Sequence, residues 1–316
     1  MSKKLISIVI PAFREEKSIS LISDELITVI NELKEEYSFE VIFVNDWSPD
    51  NTWEEISKLS KKHAFIKWIN LSRNFWKEIA ISAWIEHAAW KAIITIDWDW
   101  QHPVEKIPKF LKNWEKWYQI VYNQRPNTEW ASFVKKLSSK VFYKIFNAIS
   151  EFKLEPWTTD YRLLDRKVAD AYIKFWEKNR LYRWLTDWLG FKKKALVFDA
   201  RDRLDWWEWS YSYGKLFELA INSMTSFSLF PLKLVWYFGS LITFFSIILF
   251  FVMIWDKLLL NLFWFSNLGL AVVLNTTLMW VVMMSLWLIA LYIWKIHEEV
   301  LGRPMYIIWD KINFKK

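Results

Sequence analysis

The sequence predicts an α/β chain: a mostly parallel sheet with helices on its faces and at the membrane interface, followed by a C-terminal two-helix transmembrane hairpin. Three observations predict it. Strand-like and helix-like stretches alternate over residues 5–99, the pattern of a parallel sheet covered by helices. Acidic residues fall directly after the strand-like runs, where such sheets bind ligands. Beyond Phe227 the chain turns apolar, with two charge-poor runs long enough to cross a bilayer.

The elements follow in order. "LISIVIPAF" (5–13) is apolar and β-branched, and stops at Pro11. It is too short for a secretion signal and reads as a buried strand, which leaves the N-terminal part in the cytoplasm. "SISLISDELITVINELKEE" has helical spacing, "FEVIFVND" is a second strand, "NTWEEISKLSKKH" a second helix and "FIKWINLS" a third strand. "KEIAISAWIEHAAW" reads as a helix and "KAIITIDWD" as a fourth strand. "FVKKLSSKVFYKIFNAISEF" sets apolar residues among Lys135, Lys136, Lys140 and Lys144, a basic amphipathic helix suited to an anionic membrane surface. An ordinary solvated helix face gives the same pattern.

Residues 1–225 form the expected α/β part, the one with the strand-end acidic residues. Residues 226–295 carry spans at about 234–255 and 268–294, and 296–316 form a basic tail. Lys233 precedes the first span, Lys295, Arg303, Lys311, Lys315 and Lys316 follow the second, and the connecting segment holds only Lys257. By the positive-inside rule both termini and the α/β part are cytoplasmic, making a multi-pass protein of the cell membrane.

Composition excludes several classes. No cysteine is present, so disulfides, thiolate catalysis and Cys-based zinc sites are out. The net charge of +7 is spread along the chain and no RNA-reading motif occurs, which argues against nucleic acid as a partner. The chain has 25 Trp and only 5 Gly, whereas glycine normally makes up about 7% of residues. Aromatic belts at a bilayer fail to explain this by position. Trp47 stands in a turn context, and Trp206 and Trp207 in a polar loop, where glycine is expected. A gene from a lineage reading UGA as glycine, translated with tryptophan in its place, gives this signature. Trp188, beside Gly190, reads as a true tryptophan.

The candidate site starts from "ITIDWDWQHP". Residues two apart at a strand end point the same way, so Asp97 and Asp99 can face one ligand, with Gln101 adding a neutral oxygen. Hard oxygen donors suit Mg2+ or Mn2+, which would hold a substrate diphosphate. A D-x-D pair alone is weak evidence. It gains weight beside Asp46 and Glu15-Glu16 at other strand ends.

The segments "SIVIPAFREEKSI", "VIFVNDWSPDNT", "LSRNFWKEIAISAWIEHA", "IDWDWQHPVEKIP", "WTTDYRLLDRKV" and "GRPMYII" occur in the order expected of polyprenyl-phosphate glycosyltransferases. Over nearly its whole length the chain resembles these family-2 enzymes of GT-A, Rossmann-like fold, similar to dolichol-phosphate mannose synthase and bactoprenol glucosyltransferases. The family has glycine where this chain has Trp47, Trp76, Trp84 and Trp157, and a small residue at 98.

The resemblance implies roles for particular residues. Pro11, Ala12 and Glu15 would grip the nucleoside, although Arg14 departs from the family's loop pattern. Asp46 would contact the uracil or ribose region, and Asp97 the ribose and diphosphate. Asp99 and Gln101 would ligate the metal. Arg125 would sit near the donor and acceptor phosphates, with Lys136, Ser139, Arg162 and Arg203 toward the acceptor phosphate. Asp160 matches a residue proposed as catalytic base. Orienting groups, pairing with Arg162 and a turn role remain open for it.

The implied partners are a nucleotide-sugar (UDP or GDP), a polyprenyl phosphate and the lipid bilayer, with a homo-oligomer plausible. The implied reaction is inverting sugar transfer that supplies a lipid-linked sugar for cell-envelope glycosylation. The lipid phosphate is already ionised at neutral pH, so catalysis rests on positioning and charge stabilisation. Two alternatives stand beside this reading. "RLYRW" at 180–184 is similar to a motif of processive polysaccharide synthases, with Arg180 where glutamine is usual. A catalytically dead membrane scaffold is the other.

Overall fold

The run Ile6–Ile10 is inaccessible at every position, including Ser7, so the first strand must lie inside a sheet covered on both faces. The computed structural model describes residues 3–16, 18–85, 90–97, 102–125, 158–175, 180–198 and 267–314, with scattered positions between 144 and 255. The chain divides into two units: residues 1–143, 152–209 and 303–316 form the first, and 144–151 and 210–302 the second.

In the first unit strands and helices alternate as expected: β1 (Lys4–Ala12), α1 (Ile19–Leu33), β2 (Tyr37–Asn45), α2 (Thr52–Lys62), β3 (Ile66–Leu71), α3 (Lys77–Ile85) and β4 (Ala92–Thr95). A 3-10 turn at Val104–Lys106 leads into α4 (Ile107–Glu115). Then come β5 (Ile120–Gln124), β6 (Thr158–Asp165), α5 (Arg166–Ile173), α6 (Tyr182–Trp188), β7 (Lys193–Val197) and, from the C-terminal tail, β8 (Ile308–Ile312).

The strand order is β7-β5-β6-β4-β1-β2-β3-β8. Neighbours from β4 to β3 are parallel, β6 runs against both its neighbours, and β8 runs against β3. The sheet is thus α/β and mostly parallel, as predicted.

Local sequence accounts for the helices. In α1, Ile19, Ile22, Leu26, Val29 and Ile30 recur at helical spacing and pack under β1 and β2. In α2 acidic Glu54 and Glu55 stand in the first turn and Lys61 and Lys62 in the last, matching the helix dipole. Asp165 caps α5 by accepting the N–H of Lys167 at 3.0 Å. The basic tail does more than the sequence reading assigned to it. Its Asn313 side-chain amide donates to the carbonyls of Ser60 and Ile66, at 3.0 and 2.8 Å, just beyond the β3–β8 pairing.

In the second unit α7 (Asn267–Val300) covers the expected second span, and its segment Leu278–Val300 is long and apolar enough to cross a membrane. Leu278, Met279, Trp280, Met283 and Trp287 are exposed along it, an apolar surface that water would not tolerate. The expected first span lies mostly outside the described residues; its described positions are helical. The basic helix expected at 133–152 falls almost wholly outside them as well.

Trp47, Trp76 and Trp117 have φ of 61°, 72° and 65°, the left-handed region that favours glycine. All three indoles are exposed. Trp117 follows the last turn of α4 and donates its N–H to the Trp114 carbonyl at 2.9 Å, where a glycine commonly ends a helix. Trp84 is fully buried in α3, and Trp98, Trp100 and Trp157 lie outside the described residues.

Candidate active site

The carboxyl ends of β1, β2 and β4 meet the start of β6 on one side of the first unit. Ala12 closes β1, and its carbonyl accepts the N–H of Asp46, the residue after β2, at 3.1 Å. The buried Asp46 carboxylate accepts the N–H of Phe75 at 2.7 Å, tying down the loop that enters α3. Burial raises its pKa, against the lowering effect of the Phe75 and Trp76 N–H groups. Pro11 is half-buried beside Ala12. Glu15 donates its N–H to Thr52 at 2.8 Å, and its carboxylate accepts the Ser18 hydroxyl at 2.6 Å.

The chemistry concentrates one step along the sheet. Asp97 follows β4 by two residues. Asp160 lies on the neighbouring β6, its carbonyl held by the Thr95 hydroxyl at 2.5 Å. Lys77, the first residue of α3, bridges the two carboxylates: its Nζ is 2.5 Å from Asp97 Oδ1 and 2.6 Å from Asp160 Oδ2. Arg183, in the first turn of α6, places Nε 3.0 Å from Asp160 Oδ1. His102 Nε2 lies 3.3 Å from Asp97 Oδ2. Glu78 accepts the N–H of Tyr182 at 2.9 Å, fastening the start of α6 to the start of α3.

Exposure separates these groups. The side chains of Lys77 and Arg183 keep 40% and 41% of their surface, while Asp160 keeps 8%. The two cations are thus more accessible than Asp160.

The electrostatics follow from burial and pairing. Burial opposes the charge of Asp97, yet Lys77 and His102 hold its carboxyl well below the usual range. Burial likewise opposes Asp160, and Arg183 and Lys77 pull it down. Burial works against the Lys77 ammonium, but Asp160, Asp97 and Glu78 together raise its pKa. Burial and the charge on Asp160 push Glu78 up to about 7.

Arg162 sits behind the site with no exposed surface. It donates to Thr186 Oγ1 at 2.7 Å and to the carbonyls of Thr159 and Arg183 at 3.1 and 3.2 Å, and it pairs with Asp187 at 3.4 Å. It thereby braces the turn that carries Arg183. Arg125 directly follows β5 and is half-buried. Asp99, Gln101, Lys136, Ser139 and Arg203 lie outside the described residues.

Sequence reasoning assigned no role to Lys77, Glu78, His102 or Arg183. Each nevertheless stood inside a quoted motif: "SRNFWKE" holds the first two, "QHP" the third and "RLYRW" the fourth. Among the described residues no three His, Asp or Glu side chains gather as a metal nest. Asp97 directly precedes, in sequence, the stretch bearing Asp99 and Gln101, its own oxygens facing Lys77 and His102, and the three residues are of oxygen-donor type. That donor chemistry suits a hard divalent cation.

Comparison with known proteins adds the following. The model of the family described as glycosyl transferase family 2 matches residues 7–173. An uncharacterized glycosyltransferase of Synechocystis sp. is 36% identical over 307 residues, covering 96% of this chain and 95% of that protein. The putative glycosyltransferase CsbB of Bacillus subtilis is 35% identical, over 98% of this chain and 92% of its own. A prophage bactoprenol glucosyl transferase homolog of Escherichia coli is 31% identical, over 96% and 98%.

Proposed function

We propose, from the premise that the chain belongs to glycosyl transferase family 2, that it transfers a sugar from a nucleotide-sugar to a polyprenyl phosphate with inversion. The work is done at the cytoplasmic face of the cell membrane and supplies a lipid-linked sugar for envelope glycosylation. The protein is a glycosyltransferase. The acceptor class is supported by the bactoprenol glucosyl transferases that it matches over 96% of its length. The carrying observation is the Lys77–Asp97–Asp160–Arg183 cluster beside the carboxyl end of β4 and the start of β6, with its cations the more exposed members.

In this reading Pro11, Ala12, Glu15 and Asp46 form the nucleoside side, and Asp97 faces the ribose and diphosphate of a UDP- or GDP-sugar. Asp99 and Gln101 would hold Mg2+ or Mn2+. When bound, the metal neutralises the leaving diphosphate. Arg125, Lys136, Ser139 and Arg203 serve the phosphates, and the buried Arg162 acts through Arg183, whose carbonyl it holds. The lipid phosphate attacks the anomeric carbon, and its second ionisation at about pH 6 removes the need for a strong base. Residues 234–255 and 268–294 anchor the chain, with both termini cytoplasmic.

The test is transfer by the full chain in detergent, given UDP-glucose, UDP-N-acetylglucosamine or GDP-mannose with Mn2+ and polyprenyl phosphate. A lipid-linked sugar is expected with one donor. Asp99→Ala is expected to lower turnover by about a hundredfold or more. Transfer untouched by that change would overturn the metal-dependent reading. In cell fractions the protein is expected to pellet with membranes and to need detergent for release.

A further inference from the structure

We infer that Asp160 is a positioning residue that anchors Lys77 and Arg183, and that these two cations are the groups that meet the phosphate oxygens of donor and acceptor. The inference rests on the reading above and deepens it.

Asp160 Oδ2 accepts a hydrogen bond from Lys77 at 2.6 Å, and Oδ1 lies 3.0 Å from Arg183 Nε as an ion pair without hydrogen-bond geometry. Each oxygen of the carboxylate therefore faces a cation. It is also the most covered of the three, at 8% exposure beneath cations at 40% and 41%. The scaffold fixes both cations. Lys77 opens α3, whose first turn also carries Glu78, and Glu78 holds the N–H of Tyr182 next to Arg183. Arg162 holds the Arg183 carbonyl from the other side.

Charge supplies the reason for the arrangement. Asp97 and Asp160 are carboxylates at a place that, in the reading above, must admit two phosphate-bearing anions. Without Lys77 and Arg183, like charges would repel both substrates. The transfer balances without a proton. A phosphate oxygen of the lipid forms the new bond to the anomeric carbon, and the bond from that carbon to the diphosphate breaks. Its electron pair leaves with the diphosphate.

The experiment is a double-mutant cycle in the full detergent-solubilised chain, following nucleoside diphosphate release. Lys77→Met is expected to raise KM for both substrates and to lower kcat/KM by roughly a hundredfold. Lys77→Arg, which keeps the charge, should stay within about tenfold of wild type and serves as the readout should Lys77→Met fail to fold. Asp160→Asn is expected to lose roughly tenfold, with the pH profile unchanged. Lys77→Met/Asp160→Asn should exceed Lys77→Met alone, because the uncompensated carboxylate is gone.

A proton acceptor at Asp160 would behave otherwise: about a thousandfold loss in kcat for Asp160→Asn at unchanged KM, with the double variant no better. That pattern overturns the inference, as does unchanged KM in Lys77→Met or a Lys77→Arg variant as impaired as Lys77→Met. Absence of transfer by the wild type would sink the function proposed above while leaving this point readable in UDP or GDP binding with Mn2+. Binding weakened about tenfold by Lys77→Met and recovered in the double variant supports the inference. Equal binding throughout overturns it.

A separate observation carries a second inference: Trp47, Trp76 and Trp117 are glycines in the protein that its own cell makes, through UGA read as glycine. All three have left-handed backbone. Elsewhere the indole N–H groups of Trp68, Trp84 and Trp90 are buried with no acceptor, whereas a buried indole usually finds one. The rings of Trp53 and Trp68 stand with centroids 3.4 Å apart, closer than the roughly 4.5–7 Å of ordinary aromatic pairs. Peptide mass spectrometry of the native protein is expected to show glycine at 47, 76 and 117. Tryptophan at all three overturns it.

Discussion

An L-residue held at a φ of 65°, as Trp117 is, brings its Cβ against its own backbone, at a cost of roughly 1–2 kcal/mol. Its indole is exposed and recovers little of that by packing. Trp117→Gly is therefore expected to raise the unfolding midpoint in denaturant, by about 1 kcal/mol of stability. Glu78 provides a second measurable effect. Its carboxyl titrates at about 7, against 4.5 when unperturbed, so between those values the folded chain binds a proton that the unfolded chain releases. The stability it contributes is full below about 4.5 and is lost as pH rises through about 7. Glu78→Gln should flatten the stability profile across that window, as read by thermal melts in a pH series. Asp97 and Asp160 run the opposite way. Both are held ionised, so their contribution is present above the unfolded value of 3.8 and is lost as the medium becomes more acid.

Among the elements, α6 is the piece whose placement decides the site, and a buried guanidinium holds it. Arg162→Met would strip Thr186, Asp187 and the Arg183 carbonyl of their shared donor. A loss of about 3–5 kcal/mol is expected, because a buried carboxylate is left with less than it needs. Chemical denaturation measures that loss, and turnover should fall with it as Arg183 loses its seat. Most strands and helices were legible because period and β-branching are local properties. The Lys77–Asp160 contact was not, since 83 residues separate the partners and only tertiary packing joins them. Strand β8 escaped for a different reason. "IWDKI" is short and exposed through its middle, with neither alternation nor an apolar run to mark it. Asp97 and Asp46 were legible because several acidic residues fall together just past strand ends, where such sheets bind ligands, although a lone one there is often a cap or turn residue. Lys77 and Arg183 looked like ordinary cations at helix starts.

At the scale of the molecule, the sheet draws on both ends of the chain. Removing residues 304–316 would bare the edge of β3, with loss of the Ile308 and Ile312 pairings and the two Asn313 hydrogen bonds. The shortened protein is expected to melt at a lower temperature and to aggregate through the open edge, as light scattering during a thermal ramp would show.

The same pairing sets an order of events at the ribosome. More than two hundred residues separate Leu71 from its partner Ile308. At about 5–20 residues per second, β3 waits roughly ten to fifty seconds for its neighbour. The apolar segments emerge during that interval. The sheet is completed by a stretch made more than two hundred residues after β3, so a chain cut short before Ile308 is left with that edge open.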